Sequence, residues 1–187
     1  MRINYVACIG FMALVGLVSV DARQPSTMDW PQWRGQNRDG AAAATAVPRK
    51  WPERLTARWT VEVGLGYSAP IIVGNTVYAF SRQEPNEVLR ALDAATGKTR
   101  WESSYAAPFK PNPAATKRHG TGPKSTPAFA DGKLFTLGMS GIVTAFDAAS
   151  GRQIWQKAAP PVEPLYHTAM SPLVDRGLVI LHVGGTR

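Results

Sequence analysis

Residues 91–101 read A-L-D-A-A-T-G-K-T-R-W, and residues 145–155 read A-F-D-A-A-S-G-R-Q-I-W. Both copies of this repeated phrase fit the pattern A-x-D-A-A-[ST]-G-x-x-x-W. An Asp side chain accepts hydrogen bonds from backbone N–H groups two or three residues on, and Gly supplies the positive φ that the end of such a turn needs. The phrase therefore predicts a tight turn that leads into a strand carrying tryptophan. A unit that recurs with its spacing intact predicts tandem structural repeats.

Each copy belongs to a longer unit that begins at a proline. Short apolar runs separated by Gly, Asp or Asn turns follow Pro70, Pro127 and Pro172, as in a meander of antiparallel strands. The first interval is longer because it contains an insertion over residues 106–124. Four short strands in a unit of roughly 40–50 residues is the period of a β-propeller blade. The third unit contains only two of these strands, so we expect about two and a half blades.

The residues of the repeated phrase are predicted to be structural. We expect the tryptophan to lie on the outermost strand of its blade, to cover the seam with the neighbouring blade and to donate its ring N–H to a carbonyl. The small alanine that opens the phrase leaves room for the ring. The predicted blade-docking residues are Ala91, Asp93, Gly97, Trp101, Ala145, Asp147, Gly151 and Trp155.

The repeated phrase resembles the tryptophan-docking motif of the quinoprotein-type β-propellers, the family of pyrroloquinoline-quinone-like (PQQ-like) repeats. Members of this family include periplasmic quinoprotein alcohol dehydrogenases and an outer-membrane assembly scaffold. The resemblance covers residues 59–187, and residues 29–40, D-W-P-Q-W-R-G-Q-N-R-D-G, are similar to the lead-in of secreted bacterial members. It implies an all-β, quinoprotein-like β-propeller of four-stranded antiparallel blades, incomplete in this chain. It also implies that the strand containing Trp59 completes the last blade and closes the ring.

The first residues predict an export signal. A positive start is followed by an uncharged apolar stretch over residues 5–20, and Val20 and Ala22 place small residues at the two positions that determine cleavage before Arg23. We therefore expect a periplasmic or secreted protein. The predicted organisation is a signal peptide over residues 1–22, a lead-in segment over 23–58 and a partial propeller over 59–187.

The remaining composition limits the partners. The single cysteine, Cys8, lies in the predicted signal peptide, so no disulfide is expected in the exported chain. The longest later apolar run, residues 178–183, is too short to cross a membrane, and no stable transmembrane anchor is expected. The net charge of +8 favours anionic surfaces. The basic residues near Lys124 are not interleaved with aromatic residues, so we do not expect nucleic-acid binding.

Enzymatic chemistry has little support in this sequence. A quinoprotein dehydrogenase needs Ca²⁺ held by oxygen ligands and a carboxylate base near the substrate. The two recurring Asp residues lie in turns, and the other acidic residues are not paired. We therefore assign no catalytic residue, no metal site and no cofactor. The candidates for ligand contact at the mouth of a central channel are His119, Lys124 and His167, which lie in loops before the first strands of two units.

Two functions are consistent with these observations. The favoured one is an exported, non-catalytic propeller that acts as a binding or assembly scaffold for a protein or envelope ligand, with the remaining blades supplied by chain beyond Arg187. The alternative is the N-terminal part of a PQQ-dependent dehydrogenase, with PQQ and Ca²⁺ as cofactors.

The export signal is tested by the N-terminus of the mature protein. We expect the exported protein to begin at Arg23, because signal peptidase cleaves after small residues such as Ala22. Mass spectrometry of the protein recovered from periplasmic and medium fractions measures this. An exported protein that still carries residues 1–22 would contradict the prediction.

Overall fold

The computed structural model describes residues 29–42, 49–110, 120–161 and 167–183. Within these ranges the chain forms ten β-strands and no helix. The strands are β1 (Ile71–Val73), β2 (Thr76–Gln83), β3 (Asn86–Asp93), β4 (Thr99–Ala106), β5 (Ala128–Ala130), β6 (Lys133–Leu137), β7 (Val143–Asp147), β8 (Gln153–Lys157), β9 (Leu173–Asp175) and β10 (Leu178–Ile180). The predicted signal peptide lies outside the described residues.

The strands form three antiparallel sheets that follow the sequence repeats. The first unit is a four-stranded sheet in the order β1-β2-β3-β4, the second is β5-β6-β7-β8, and the third is the hairpin β9-β10. The predicted all-β meander of four-stranded sheets is therefore confirmed. In the hairpin between β5 and β6, Asp131 and Gly132 both have positive φ, as a type I′ turn requires.

The strands do not follow the apolar runs of the sequence alone. Strands β2 and β3 pair continuously from Thr76–Asp93 to Gln83–Asn86, so polar residues such as Arg82 and Glu87 belong to the ladder as well. Strand β10 ends at Ile180, although the apolar run continues to Val183. Ile180 pairs with the first residue of β9, and the preceding Pro172 has no N–H to continue the ladder.

The main core lies between the first two sheets. Apolar side chains from both units pack together there, including those of Ile71, Phe80 and Leu89 from the first sheet and Leu134 and Phe146 from the second. Burial of this apolar surface is the main force that joins the two units. The fourth strand of the second sheet, β8, is exposed along its whole length.

Tryptophan contacts the next unit twice with the same geometry. Nε1 of Trp101, on β4, donates to the carbonyl oxygen of Ala148 in the second unit at 3.1 Å. Nε1 of Trp59 donates to the carbonyl oxygen of Ala94 in the first unit, also at 3.1 Å. In each case the ring lies against the glycine of the repeated phrase, where an added Cβ would come within 2.7 Å of the ring atom Cδ2. Such a separation is a steric clash.

The Asp of each phrase makes the predicted turn. Oδ1 of Asp93 accepts hydrogen bonds from the backbone N–H of Ala95 at 3.1 Å and of Thr96 at 2.9 Å. Oδ1 of Asp147 accepts from the backbone N–H of Ser150 at 2.8 Å. The hydrogen bonds from the side chain and the backbone N–H of Ser150 hold the pKa of Asp147 below its usual range.

The glycine contact predicts a difference between two Gly→Ala variants. Gly132 and Gly151 have nearly the same φ, +71° and +74°, but only Gly151 packs against a tryptophan ring. We expect Gly132→Ala to lower the free energy of unfolding by about 1 kcal/mol, the cost of a left-handed alanine. Gly151→Ala should lower it by about 2 kcal/mol more, because the ring of Trp101 must shift. Chemical denaturation measures both values, and equal losses would contradict the proposed role of the ring.

Candidate functional site

The segments that lead into the first strands of the three units converge. The backbone N–H of Ala69 donates to Oγ1 of Thr126 at 3.2 Å, and the backbone N–H of Thr126 donates to Oγ of Ser171 at 2.9 Å. Each of these residues immediately precedes the proline that begins its unit. The sequence did not predict that the residues before these prolines connect one unit to the next.

The lead-in segment lies across the same three first strands. Trp30 exchanges two backbone hydrogen bonds with Ile72 on β1, at 2.8 and 3.0 Å. The carbonyl oxygen of Pro31 accepts from the N–H of Phe129 on β5 at 2.8 Å. Farther along, Nη1 of Arg38 donates to the carbonyl oxygen of Pro172, just before β9, at 3.0 Å. The lead-in therefore forms one wall of the space where the units meet.

A pocket of about 390 Å³, which we call the mouth pocket, lies between the lead-in and these converging segments. It is lined by Trp33, Arg38, Tyr67, Ala69, Lys124, Thr126, Ala169, Met170 and Ser171. Its volume is in the range of small-ligand sites. Two aromatic residues stand at its rim, with Trp33 exposed over 45% of its surface and Tyr67 over 60%.

The charged groups of the mouth pocket are cationic. Arg38 and Lys124 are the charged residues among the described lining residues, and that lining contains no carboxylate. Arg38 donates from Nη1 to Gln32 Oε1 and to Pro172, which uses two of its five N–H donors and fixes the guanidinium in place. The hydroxyl groups of Thr126 and Ser171 each accept a backbone N–H, so their own hydrogens are available for donation. The lining is therefore rich in hydrogen-bond donors and suits an anionic group.

The three candidate residues His119, Lys124 and His167 do not lie together in the described structure. Lys124 is one of the residues that line the mouth pocket, and its role in ligand contact stays a prediction. The ring of His167 packs against Phe109, with ring centroids 4.4 Å apart, and is not among the lining residues described. His119 lies outside the described residues. The sequence did not point to Trp33 and Tyr67. Trp33 lies in the lead-in and Tyr67 lies just before Pro70, and nothing local in the sequence places the two side chains around one pocket.

A second group of ionisable residues lies buried at the seam between the first two units. Glu87 is fully buried, and its two carboxylate oxygens accept hydrogen bonds of 2.7 Å, one from the hydroxyl of Tyr105 and one from the backbone N–H of Met139. Burial raises the pKa of Glu87, and burial together with the neighbouring Glu87 raises the pKa of Tyr105. Perturbed groups of this kind can mark an active site. Here both oxygens are occupied by protein donors, so we assign this group to the packing of the seam.

The described residues form neither a metal-binding cluster nor a membrane-spanning helix. No three His, Cys, Asp or Glu side chains in the described ranges lie close enough together to hold a metal ion. None of the described segments forms a helix of the length and hydropathy needed to cross a membrane.

Residues 85–187 match the protein family described as outer membrane protein assembly factor BamB. The dehydrogenase subunit of the quinone alcohol dehydrogenase of Acetobacter aceti is 29% identical over 139 residues, which are 71% of this chain and 18% of that protein. The lanthanide-dependent methanol dehydrogenase of Methylacidiphilum fumariolicum (strain SolV) is 27% identical over 161 residues, 82% of this chain and 26% of that protein. The chain thus spans about a fifth to a quarter of the length of these relatives.

Two solved structures show the same fold. A europium-containing methanol dehydrogenase superposes with a TM-score of 0.60 at 20% identity, over 86% of this chain and 28% of that one. The quinohemoprotein alcohol dehydrogenase from Comamonas testosteroni gives 0.58 at 21% identity, over 84% and 23%. Both are quinoprotein β-propellers, so the four-stranded sheets described above are propeller blades, as the sequence predicted.

The buried carboxyl group predicts a pH dependence of stability. Because the folded-state pKa of Glu87 is raised above its ordinary value of 4.5, the folded chain binds this proton more tightly than the unfolded chain. Its contribution is therefore fully present below pH 4.5 and is lost as the pH rises through the folded-state pKa. We expect the free energy of unfolding of the wild type, relative to Glu87→Gln, to fall as the pH rises from 4 to 8.

Denaturant titrations of both proteins across this range provide the measurement. Glutamine retains an acceptor for Met139 and can donate to Tyr105, so the comparison isolates the charge. The carboxylates with lowered pKa, such as Asp147, contribute equally to both proteins and cancel. A difference that does not change with pH would contradict the assignment.

Proposed function

Because the chain belongs to the family of PQQ-like propeller repeats described as outer membrane protein assembly factor BamB, we propose that it is an exported, non-catalytic scaffold that binds a protein or envelope ligand through the mouth pocket. The observation that carries this proposal is the composition of the pocket. It combines two cations with exposed aromatic residues at the rim, and its described lining contains no carboxylate.

The mouth pocket has the composition of a binding surface. Trp, Tyr and Arg are enriched among the few residues that carry most of the binding energy at protein interfaces. Trp33, Tyr67 and Arg38 are residues of these types around one pocket. Arg38 of the lead-in donates a hydrogen bond to Pro172 of the third unit, and Thr126 of the second unit accepts one from Ala69 of the first. These bonds fix the pocket, so little ordering is needed when a partner binds.

The cellular location and the rest of the ring are part of the same proposal. The predicted signal peptide over residues 1–22 supports export to the periplasm or the medium. We also propose that further blades of the same protein complete the ring. Trp155 on β8 occupies the same position in the repeat as Trp101, which contacts the following unit. Its side chain is nevertheless 37% exposed, which supports a further unit packed against it.

A quinone-dependent dehydrogenase is the second candidate, and the identity to the alcohol dehydrogenase of Acetobacter aceti favours it. Arg38 and Lys124 would hold an anionic quinone in the mouth pocket. Such a cofactor, when bound, would supply a two-electron acceptor for the oxidation of an alcohol. The described lining offers no carboxylate to bind a cation or to act as a general base. The described lining thus fits the organic anion but offers no ligand for the metal ion, and for this reason we place the dehydrogenase second.

The scaffold proposal is tested with the purified full chain in the presence of PQQ and either Ca²⁺ or a lanthanide ion. We expect no reduction of an artificial dye with primary alcohols as substrates, because the described lining of the mouth pocket contains no carboxylate to act as a base. A photo-crosslinking amino acid at Tyr67 should capture a protein or envelope component in cells, whereas the same amino acid at the exposed Lys98 should not.

Dye reduction that requires both the quinone and an alcohol would refute the non-catalytic function and support the dehydrogenase. Equal cross-linking from positions 67 and 98 would show that the captured material does not recognise the mouth pocket.

A further inference from the structure

We infer that the mouth pocket recognises an acidic peptide segment of a protein partner, in which a carboxylate side chain is bound near Lys124 and Arg38 and a neighbouring apolar side chain packs at the aromatic rim. This inference rests on the proposed scaffold function and names the chemistry of its partner. It follows from the charge, the shape and the rigidity of the pocket.

Charge complementarity selects an anionic ligand. Lys124 forms no ion pair within the described parts of the chain, and Arg38 donates to the uncharged oxygens of Gln32 and Pro172. Two cations in a described lining that contains no carboxylate create a positive potential that an Asp or Glu side chain relieves. The hydroxyl groups of Thr126 and Ser171 add two neutral donors at the same place.

The aromatic rim favours a peptide over a small anion. Trp33 and Tyr67 remain about half exposed beside the pocket. The guanidinium groups of Arg34 and Arg38 each lie 5.5 Å from the ring centroid of Trp33, which orients the indole. A small anion bound between the cations would leave this apolar surface in water. A peptide with an apolar residue next to its carboxylate covers the rim and the cations together.

The size of the pocket favours a segment rather than a flat surface. About 390 Å³ accommodates a few side chains, which is typical of a site for an extended peptide or a loop. A lipid bilayer presents its headgroups on a plane and would contact the rim without filling the pocket. The walls come from the lead-in and from three units joined by hydrogen bonds, so the pocket exists before the partner arrives.

The test uses the purified full chain and a fluorescein-labelled hexapeptide of alternating Glu and Leu, followed by fluorescence anisotropy. A matched peptide with Gln in place of Glu is the control for charge. We expect the acidic peptide to bind at least about tenfold more tightly than the Gln peptide, with an affinity that falls as salt is added.

Variants of the chain locate the binding. Lys124→Glu should weaken binding about tenfold or more, because it places a like charge against the peptide. Lys98→Glu makes the same change of net charge at an exposed residue outside the pocket and should change the affinity less than about twofold. Trp33→Ala, at an exposed position, should also weaken binding through loss of the apolar contact. Thermal unfolding of each variant checks that it is folded, and Lys124→Gln replaces Lys124→Glu if the latter is not.

Three results would overturn the inference. Equal weakening by Lys124→Glu and Lys98→Glu would show that only the overall charge of +8 attracts the peptide. Equal affinity for the Gln peptide would exclude recognition of the carboxylate. Binding of citrate or of phosphatidylglycerol vesicles with no binding of the acidic peptide would identify a small anion or a lipid as the ligand. If the acidic peptide does not bind but cross-linking at Tyr67 still occurs, the peptide inference fails and the scaffold function stands. Quinone-dependent dye reduction would instead refute the scaffold function.

Discussion

The contact between the indole of Trp101 and Gly151 is the interaction on which the arrangement of the units depends. The ring lies where a Cβ would be, so the phrase requires glycine at this position. Its N–H reaches the carbonyl oxygen of Ala148 only because the Asp147 turn presents that carbonyl beside the ring. Trp59 makes the same contact one unit earlier. A single steric and hydrogen-bonding requirement thus explains why the spacing of the repeated phrase is kept.

The same contact affects the inner side of the structure. An indole separates the outer strands of adjacent units, whereas a hydroxyl group, such as Oγ1 of Thr126, connects the residues before their first strands. A thick spacer outside and a thin one inside make neighbouring sheets diverge outward from a common centre, as blades do. The residues that precede the first strands, Ala69, Thr126 and Ser171, line the mouth pocket, so the pocket lies on the side where the units are closest.

Most of the local structure could be predicted from the sequence, because it is determined by neighbouring residues. The Asp93 and Asp147 turns and the four-stranded meander belong to this class. The mouth pocket does not, since its walls depend on contacts such as that of Arg38 with Pro172, which lie 134 residues apart. Glu87 was also missed. A polar residue in a strand normally indicates a solvent-facing side, and only the packing of two units shows that this carboxyl group is buried.

The fold does not determine the function, since the dehydrogenases that share these blades and a binding scaffold place the same sheets around a centre. A dehydrogenase and a scaffold must therefore be distinguished by the groups that can still form hydrogen bonds with a ligand. Both oxygens of Glu87 are occupied by Tyr105 and Met139, so that buried group stabilises the seam and offers nothing to a ligand. The donors of Lys124 and the hydroxyl hydrogen of Thr126 remain available in a rigid pocket. A lining rich in hydrogen-bond donors suits an anionic partner, and for this reason we propose the mouth pocket as the binding site.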